Sequence, residues 1–254
     1  LNEKKYWIYN TAEDWEEDSP GFRNFYHDPE KFKLGTPSGK LEFYSERLAK
    51  AYPDDKERPP IPKWIEKSHN HDERLSSPRA KLFPLLIMSN HGRWRVHAQC
   101  DDITWCREAP TCKVLGPDGY KYEPIWLHPS EAEKRGIKSG DIIKIYNERG
   151  IVLGGAYVTE RLRPGVVYMD HGARHDPIKT GEIERGGAIN TITPEAITSE
   201  NCVGQIGGGY LVEVAKVTGE EWDQWRRDYP EAFQRKYDPA AGLCVDAWIE
   251  KGDK

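Results

Sequence analysis

The stretch IWLHPSEAEKRGIKSGDIIKIYNERGIVLGGAYVTERLRPGVVYMDHGARHDPI, residues 125–178, decides the fold of this chain. It begins with a short apolar strand over residues 125–127. Pro129 then suits the first turn of a helix, where its missing N–H costs nothing. The predicted helix, residues 130–135, is acidic at its start and basic at its end, as the helix dipole favours. Gly136 is well placed to end the helix in the left-handed conformation.

Three more strands follow in the same stretch. Residues 142–146 form a strand, residues 147–150 (NERG) form a hairpin turn, and residues 151–158 return as the partner strand. Gly154–Gly155 in the returning strand indicates a bulge or a close approach of another backbone. A buried strand over residues 166–169 then leads into the polar loop DHGARHD. The stretch therefore predicts a compact β unit that presents ligand-binding side chains in a loop.

The composition limits the class of protein. The chain has 254 residues, of which 37% are hydrophobic and 31% charged, with a net charge of −5. This length allows one large domain or two small domains, with enough residues to bury a hydrophobic core. No basic stripe indicates a nucleic-acid partner. No run in the sequence approaches the roughly 18 apolar residues of a membrane helix, so we expect no membrane segment in this chain.

The N-terminus carries no recognisable targeting segment. Residues 1–18 are charged and lack the apolar core of a signal peptide. The chain begins with Leu rather than Met, and we therefore expect it to be a piece of a longer polypeptide. Any export signal would lie upstream, and the cytoplasm is the favoured compartment.

The cysteines and the short motifs indicate neither a metal site nor a catalytic group. Five cysteines, an odd number, argue against a closed set of disulfides. Cys100, Cys106 and Cys112 are six residues apart, which is neither a zinc nor a ferredoxin spacing, so we predict free thiols. No G-x-S-x-G, Walker or G-x-G-x-x-G string follows a strand. We assign no catalytic residue and no metal ligand.

A second polar loop follows another apolar segment. Residues 82–88 (LFPLLIM) predict a buried strand that runs into SNHGRWRVHAQ, residues 89–99. A strand, a glycine-bearing polar loop and a helix together commonly present backbone N–H groups to a phosphate. We therefore predict a helix after this loop. A plain strand–loop corner is the structural alternative.

Short strands with glycine turns and one short helix suggest a small closed barrel. Because the loops of a barrel gather at its ends, several polar residues could meet there: Asn90, His91, Asp170, His171 and Asn190. Such side chains offer donors and acceptors for a polar ligand. Asp170 could accept from N–H groups, and His91 and Arg93 could donate to phosphate. Each could instead be a satisfied turn residue.

Two strings resemble one known family. HPSEAEKRGIKSGDIIKIYNERG followed by VTERLRPGVVYMDHG is similar to the C-terminal domain of the molybdopterin oxidoreductases, the dimethyl sulfoxide reductase family. TPSGKLEFYSE, residues 36–46, precedes them in the same order as in that family. The resemblance covers about residues 32–217. VTERLRPGVVYMDHGAR is also similar to the branch that contains pyrogallol–phloroglucinol transhydroxylase.

The resemblance implies a fold, a cofactor and a site. The fold would be mainly β with short helices: a double-psi β-barrel of the aspartate-decarboxylase type plus an irregular N-terminal segment. The cofactor would be molybdopterin guanine dinucleotide with molybdenum or tungsten, held jointly with absent domains. The residues that we expect to contact its dinucleotide end are Asn90, His91, Gly92, Arg93, His97, Asp170, His171, Asn190 and Gln205.

In the resembled family, the metal-ligating residue and any N-terminal iron–sulfur motif lie far upstream. The resemblance therefore implies a dinucleotide-binding fragment of an oxidoreductase that is not active alone. Its partners would be the remaining N-terminal domains and an iron–sulfur electron-transfer subunit. The alternative is a stand-alone β-barrel that binds a nucleotide or a protein without catalysis.

We expect three parts: an N-terminal segment of the preceding catalytic domain with a linker (1–80), the dinucleotide-binding barrel (81–217) and a C-terminal helical extension (218–254). Trp222 and Trp225, three residues apart, predict an amphipathic helix in the extension. Two further local predictions are a strand over residues 40–44 and a flexible loop over residues 180–187.

Overall fold

The structure is a computed structural model. It describes residues 22–65, 72–93, 95–100, 103, 113–199, 201–234, 236–238 and 243–245. The chain divides between Ile65 and Glu66 into two compact units. The predicted boundaries after residues 80 and 217 stay predictions.

The first unit is irregular, as predicted. Its helices are α1 (Arg23–His27) and α2 (Glu46–Ala51). Residues 36–39 form a turn, in which the N–H of Gly39 donates to the carbonyl of Thr36. The strand predicted over residues 40–44 is wrong, since these residues are irregular and have no ladder partner. Ser45 ends this segment and caps α2 by accepting a hydrogen bond from the N–H of Leu48.

The second unit is mainly β. Its strands are β1 (Leu85–Met88), β2 (Val114–Leu115), β3 (Lys121–Tyr122), β4 (Pro124–Leu127), β5 (Ile142–Asn147), β6 (Gly150–Val158), β7 (Val166–Tyr168), β8 (Pro177–Lys179), β9 (Ile183–Glu184), β10 (Ile197–Ser199), β11 (Cys202–Gln205), β12 (Leu211–Lys216), β13 (Lys236–Asp238) and β14 (Leu243–Val245). Its helices are α3 (Pro129–Lys134), α4 (Gly219–Asp228) and α5 (Pro230–Gln234), with 3-10 helices at Pro78–Lys81 and Ile189–Thr191.

Six of these strands close into a barrel. They pair in the order β4–β7–β1–β12–β5–β6, and a further pairing of β6 with β4 closes the ring. The pairs β1–β7 and β4–β6 are parallel, whereas the other four pairs are antiparallel. Each parallel pair joins strands that are not consecutive in the chain. The predicted double-psi β-barrel is confirmed.

Two groups of buried side chains form the core. The first lies around the barrel strands and includes Leu85, Ile87, Ile125, Leu127, Ile143, Ile145, Val152, Val167, Val212 and Val214. The second lies between the sheet and the C-terminal helices and includes Tyr120, Tyr122, Ile142, Leu153, Ile178, Ile183, Trp225 and Ala232. Because successive residues of a strand face opposite sides, β5 and β6 contribute to both groups and are buried on both faces.

Helix α3 forms as the local sequence predicts. His128 caps the start of the helix, because its Nδ1 accepts a hydrogen bond from the backbone N–H of Ser130. At the other end Gly136 has a φ of +62°, and the N–H of Ile137 donates to the carbonyl of Ala132. This is the Schellman arrangement, which satisfies carbonyls that the helix end would leave unpaired.

The segment predicted as a flexible loop over residues 180–187 is exposed at residues 180–182 but mostly buried from residue 183 to residue 187. It contains β9, and Glu184 and Arg185 are 1% and 4% exposed. Arg185 pairs with the buried Asp176 at 3.3 Å and donates to the carbonyl of Ala232 at 3.1 Å. Buried charges of this kind must be paired, so the segment connects the sheet to α5 rather than moving freely.

The predicted amphipathic helix of the extension is present as α4. Thr218 and Glu221 form a capping box at its start. Trp225 is buried and packs edge-to-face against Trp222, with ring centroids 5.5 Å apart. Helix α4 therefore covers the second hydrophobic group. Within the described part of the chain, every helix is too short or too polar to span a lipid bilayer.

Gly154 and Gly155 mark a close approach rather than a bulge. The β5–β6 ladder runs through both glycines without a shift in register. A Cβ on Gly154 would lie 2.6 Å from the side chain of Ile125, and one on Gly155 would lie 2.1 Å from the Cβ of Val114. Their missing side chains let β4 and β2 pack directly on β6.

Replacing Gly155 by Ala tests this contact. We expect Gly155→Ala to lower the free energy of unfolding by about 1–3 kcal/mol, the usual range for overpacking. Urea unfolding followed by circular dichroism measures the change. Gly219→Ala is the matched control, because its Cβ would meet no atom within 4 Å. Equal stability of the two variants would contradict the assigned role of Gly155.

Candidate functional site

The site begins where two parallel strands end together. Strands β1 and β7 are neighbours, with Met88 opposite Tyr168, so the loops that follow leave the barrel at the same end. The loops stay joined, because the N–H of Met169 donates to the carbonyl of Met88 and that of His171 to the carbonyl of Asn90, both at 3.1 Å. We call them the β1 loop, residues 89–99, and the β7 loop, residues 170–176.

Three of the predicted site residues form a histidine cluster where these loops touch. The ring centroid of His91 lies 4.6 Å from that of His97 and 4.2 Å from that of His171. The centroids of His97 and His171 are 5.1 Å apart. One ring nitrogen from each residue lies within 4.8 Å of the other two. His171 is half-buried, whereas the other two histidines are exposed.

The backbone conformation of His97 brings it into the cluster. The predicted helix does not form over the described residues 95–100, which contain turns and a bridge between Val96 and Gln99. His97 and Cys100 have positive φ angles of 54° and 67°, which an α-helix cannot contain. Gly172 of the β7 loop lies against this turn, and a Cβ there would be 2.1 Å from the carbonyl oxygen of His97. Only glycine fits at that position.

Asp170 is held at the edge of the cluster. The hydroxyl of Tyr168 donates a hydrogen bond to Asp170. Burial raises the pKa of Tyr168 above its ordinary value, and the bond to Asp170 raises it further, so Tyr168 stays a donor at neutral pH. A Cβ on Gly92 would lie 3.1 Å from Oδ2 of Asp170. Asn90 and Arg93, the remaining predicted residues of the β1 loop, are exposed.

A buried ion cluster supports the β7 loop. Nε of Arg95 donates to the carbonyl of His171 at 3.1 Å, while its Nη1 lies 2.9 Å from Oε1 of Glu123. Nζ of Lys113 lies 2.8 Å from the same oxygen. Burial alone would raise the pKa of Glu123, but Lys113 and Arg95 outweigh it and hold this pKa below its ordinary value. Glu123 therefore stays ionised and fixes Arg95 beneath the histidines.

Two buried polar atoms at the site have no hydrogen-bond partner among the described residues. They are Oγ of Ser89 and Nε2 of His171. The other ring nitrogen of His171, Nδ1, lies 3.4 Å from the carbonyl oxygen of Ser89. A buried polar group without a partner costs about 1–3 kcal/mol, and two at one place indicate a site at which a ligand supplies the partners.

The protonation state of His171 follows from its surroundings. Burial lowers the pKa of His171 below its ordinary value, and the nearby His91 and His97 lower it further. His171 is therefore a neutral imidazole at pH 7. When Nδ1 carries the proton and donates to Ser89, Nε2 keeps a free lone pair.

Asn190 and Gln205 are not joined to the histidine cluster by any hydrogen bond within the described residues. Asn190 lies in the 3-10 helix that follows Gly187, and Gln205 ends β11. Their segments still reach the same end of the barrel. A Cβ on Gly187 would be 2.6 Å from Glu123, and one on Gly208 would be 3.5 Å from the first residue of the β1 loop.

No motif in the sequence indicates a role for Arg95, Lys113 or Glu123. Arg95 lies within the β1 loop, but its partner Glu123 lies 28 positions later and belongs to no recognised motif. Of the evenly spaced cysteines, Cys100 is a free thiol, as predicted. Cys106 and Cys112 lie outside the described residues.

Comparisons with known proteins agree with this geometry. Residues 85–205 match the family model "Molydopterin dinucleotide binding domain". The chain is 35% identical over 198 residues to trimethylamine-N-oxide reductase 1 of Escherichia coli O157:H7, covering 77% of this chain and 22% of that protein. It is 35% identical over 201 residues to the dimethyl sulfoxide/trimethylamine N-oxide reductase of Rhodobacter capsulatus, covering 78% of this chain and 23% of that protein. The chain thus spans less than a quarter of the length of these relatives.

A solved structure also resembles this chain. The acetylene hydratase from Pelobacter acetylenicus aligns with a TM-score of 0.50 and 21% identity. The alignment covers 75% of this chain and 25% of the hydratase. At this identity the similarity concerns the fold, and it agrees with the barrel described above.

Glu123→Gln tests the ion cluster beneath the site. The substitution keeps the shape but leaves Arg95 and Lys113 buried without their anion, so we expect a loss of about 3 kcal/mol in the free energy of unfolding at pH 7. Because the folded-state pKa of Glu123 is lowered, its contribution is present above pH 4.5 and is lost as the pH falls through the folded-state pKa.

Urea unfolding at several pH values measures both effects. The stability of the parent chain should fall on acidification by more than that of Glu123→Gln. Glu160→Gln, at an exposed position, is the control and should match the parent. If Glu123→Gln and Glu160→Gln have the same free energy of unfolding at pH 7, Glu123 does not support the β7 loop through Arg95.

Proposed function

Because residues 85–205 belong to the molybdopterin dinucleotide-binding domain family of the dimethyl sulfoxide reductase enzymes, we propose that this chain is the C-terminal part of a molybdenum or tungsten bis-pterin oxidoreductase. In this proposal the chain holds the guanosine end of molybdopterin guanine dinucleotide. The residue that ligates the metal lies in upstream domains, which hold the cofactor jointly with this chain. The chain itself supplies no catalytic residue.

The observation that carries the proposal is the pair of buried, unpartnered polar atoms between the two loops. Oγ of Ser89 and Nε2 of His171 offer a hydroxyl and an imidazole to a polar ligand. They lie at the end of a barrel where two parallel strands stop side by side. A dinucleotide with phosphate, ribose and base can satisfy both atoms, so the residues present fit the cofactor.

The site divides into donors and acceptors. Arg93, His91 and His97 are exposed and suit the phosphate groups, to which a guanidinium or imidazole donates strong hydrogen bonds. Asp170 suits the N–H groups of guanine, because its carboxylate is an acceptor fixed by Tyr168. Backbone N–H groups of the β1 loop, including Gly92, add further donors.

The more distant predicted residues complete the proposal. Asn190 and Gln205 would reach the ribose or the base from the two flanking segments. Arg95 and Glu123 would not touch the cofactor but would position His171 through its backbone carbonyl. When bound, the cofactor supplies the redox chemistry at its metal, and this chain binds and orients its nucleotide end.

The remaining features are proposed on the resemblance alone. The partners are the N-terminal domains of the same enzyme and an iron–sulfur electron-transfer subunit. The three parts 1–80, 81–217 and 218–254 would be the end of the preceding catalytic domain, the dinucleotide-binding barrel and an extension that packs on it. The assignment to the transhydroxylase-like branch stays a prediction.

A double substitution tests the proposed function in the enzyme that contains this chain. We expect Asp170→Ala with His171→Ala to lower cofactor retention, because the variant loses the fixed acceptor and the buried imidazole. The purified protein is assayed for molybdenum, tungsten and released guanine nucleotide. His27→Ala with Asp223→Ala removes an exposed histidine and an exposed acid elsewhere and serves as the control.

A second measurement uses the 254-residue chain and GDP, which carries the guanosine and two phosphates. Isothermal titration should show GDP binding that is at least tenfold weaker in the Asp170, His171 double variant, or about 1.4 kcal/mol. Unchanged metal and guanine content in the enzyme would exclude the proposed site. GDP binding without any pterin or metal in the enzyme would favour the stand-alone module instead.

A further inference from the structure

We propose that His91, His97 and His171 form a binding site for a divalent transition metal ion such as Zn²⁺ or Co²⁺. The inference goes beyond the proposed function, and it concerns the chain without bound cofactor, because the ion would use the same imidazoles that the proposed function assigns to the cofactor. It rests on the geometry of the histidine cluster, on the hydrogen bond that orients His171, and on the donor chemistry of three imidazoles.

The spacing of the three rings suits one ion. One nitrogen from each ring lies within 4.8 Å of the other two. In a tetrahedral site, metal–nitrogen bonds of about 2.0–2.1 Å place the ligand nitrogens about 3.3 Å apart. Closing the remaining gap of about 1.5 Å requires only side-chain rotation. The side chains of His91 and His97 are exposed and free to rotate in this way.

His171 is the preorganised ligand of the three. Its Nδ1 lies 3.4 Å from the carbonyl oxygen of Ser89, and its Nε2 is buried without a partner among the described residues. Metal-ligating histidines almost always donate their second ring N–H to a carbonyl or carboxylate, which fixes the tautomer and the ring orientation. The contact between Nδ1 of His171 and the carbonyl of Ser89 is such a bond. It leaves the lone pair of Nε2 available to an ion.

The backbone also holds the other two ligands in place. His91 precedes Gly92 in the β1 loop and forms a bridge with His171 across the two loops. His97 sits in a left-handed turn packed against Gly172. The ligands therefore come from segments that are tied to parallel strands and to each other. The backbone of such a set loses little conformational entropy when it binds an ion, so the cost falls on the side-chain rotation of His91 and His97.

The donor chemistry selects the class of ion. Imidazole nitrogens suit Zn²⁺, Cu²⁺, Ni²⁺ and Co²⁺, whereas Mg²⁺ and Ca²⁺ prefer oxygen ligands. The neighbouring carboxylates are already engaged, since Asp170 accepts from Tyr168 and Glu123 is paired with Arg95. Three protein ligands with two of them exposed leave the fourth position for water, the arrangement of an open zinc site.

Titration of the untagged, metal-free 254-residue chain with Co²⁺ tests the proposal. Four-coordinate Co²⁺ gives visible absorption, and we expect saturation at one ion per chain and displacement by Zn²⁺. His171→Gln and, separately, His97→Asn should each weaken Co²⁺ binding at least tenfold. Asn is chosen at position 97 because it tolerates the left-handed conformation there.

The control is His27→Gln, which removes an exposed histidine from α1 and should bind Co²⁺ like the parent chain. Circular dichroism establishes that each variant is folded. Absence of saturable uptake by the parent chain, or equal affinity in the parent, His171→Gln and His97→Asn chains, would overturn the metal site. Co²⁺ uptake by a chain that fails to bind GDP would support the metal site and count against the proposed function, so the two failures are distinguishable.

Discussion

The parallel pairing of β1 with β7 is the constraint on which the site depends. Parallel neighbours end at the same edge, so the β1 loop and the β7 loop leave the barrel together. In an antiparallel pair the loops after the two strands would emerge at opposite ends. The two loops then stay joined beyond the strands by hydrogen bonds to the carbonyls of Met88 and Asn90. The histidine cluster follows from this pairing and from the barrel closure that fixes both strands.

Glycine sets how closely the segments around the site can pack. Gly172 lies against the turn that contains His97, and Gly187 lies against Glu123, each at a distance that a Cβ would not allow. Gly155 does the same for β2 on β6. Gly172 removes a side chain where a loop meets the backbone of His97, whereas Gly187 and Gly155 make room for the side chains of Glu123 and Val114. The same kind of close packing thus holds the polar loop at the site and β2 on β6.

The sequence predicts the elements whose signals are local. Pro129 and Gly136 mark the two ends of α3, and the NERG turn marks the β5–β6 hairpin, because each signal acts within a few residues. The strand predicted over residues 40–44 fails because alternation gives no strand without a partner to complete the ladder. The predicted helix does not form around His97 because the turn there lies against Gly172, a residue of the other loop.

The candidate site is predicted only in part for the same reason. Asp170 and His171 follow a buried strand directly, so their place at a barrel end can be inferred from sequence order. Arg95 and Glu123 cannot be inferred in this way, since their pairing joins two loops that only the fold brings together. His97 is expected at the site from the family resemblance, whereas its contact with the other two histidines is visible only in the structure.

The local charge at the site differs from that of the whole chain. The chain carries a net charge of −5, which by itself disfavours an anionic ligand. At the barrel end, however, the carboxylate of Glu123 is buried and neutralised by Arg95 and Lys113, and Asp170 accepts from Tyr168. The exposed side chains there include the imidazoles of His91 and His97 and the side chain of Arg93. An acidic chain thus presents a local surface of donors and imidazole lone pairs, and this local chemistry, rather than the net charge, decides what the site can bind.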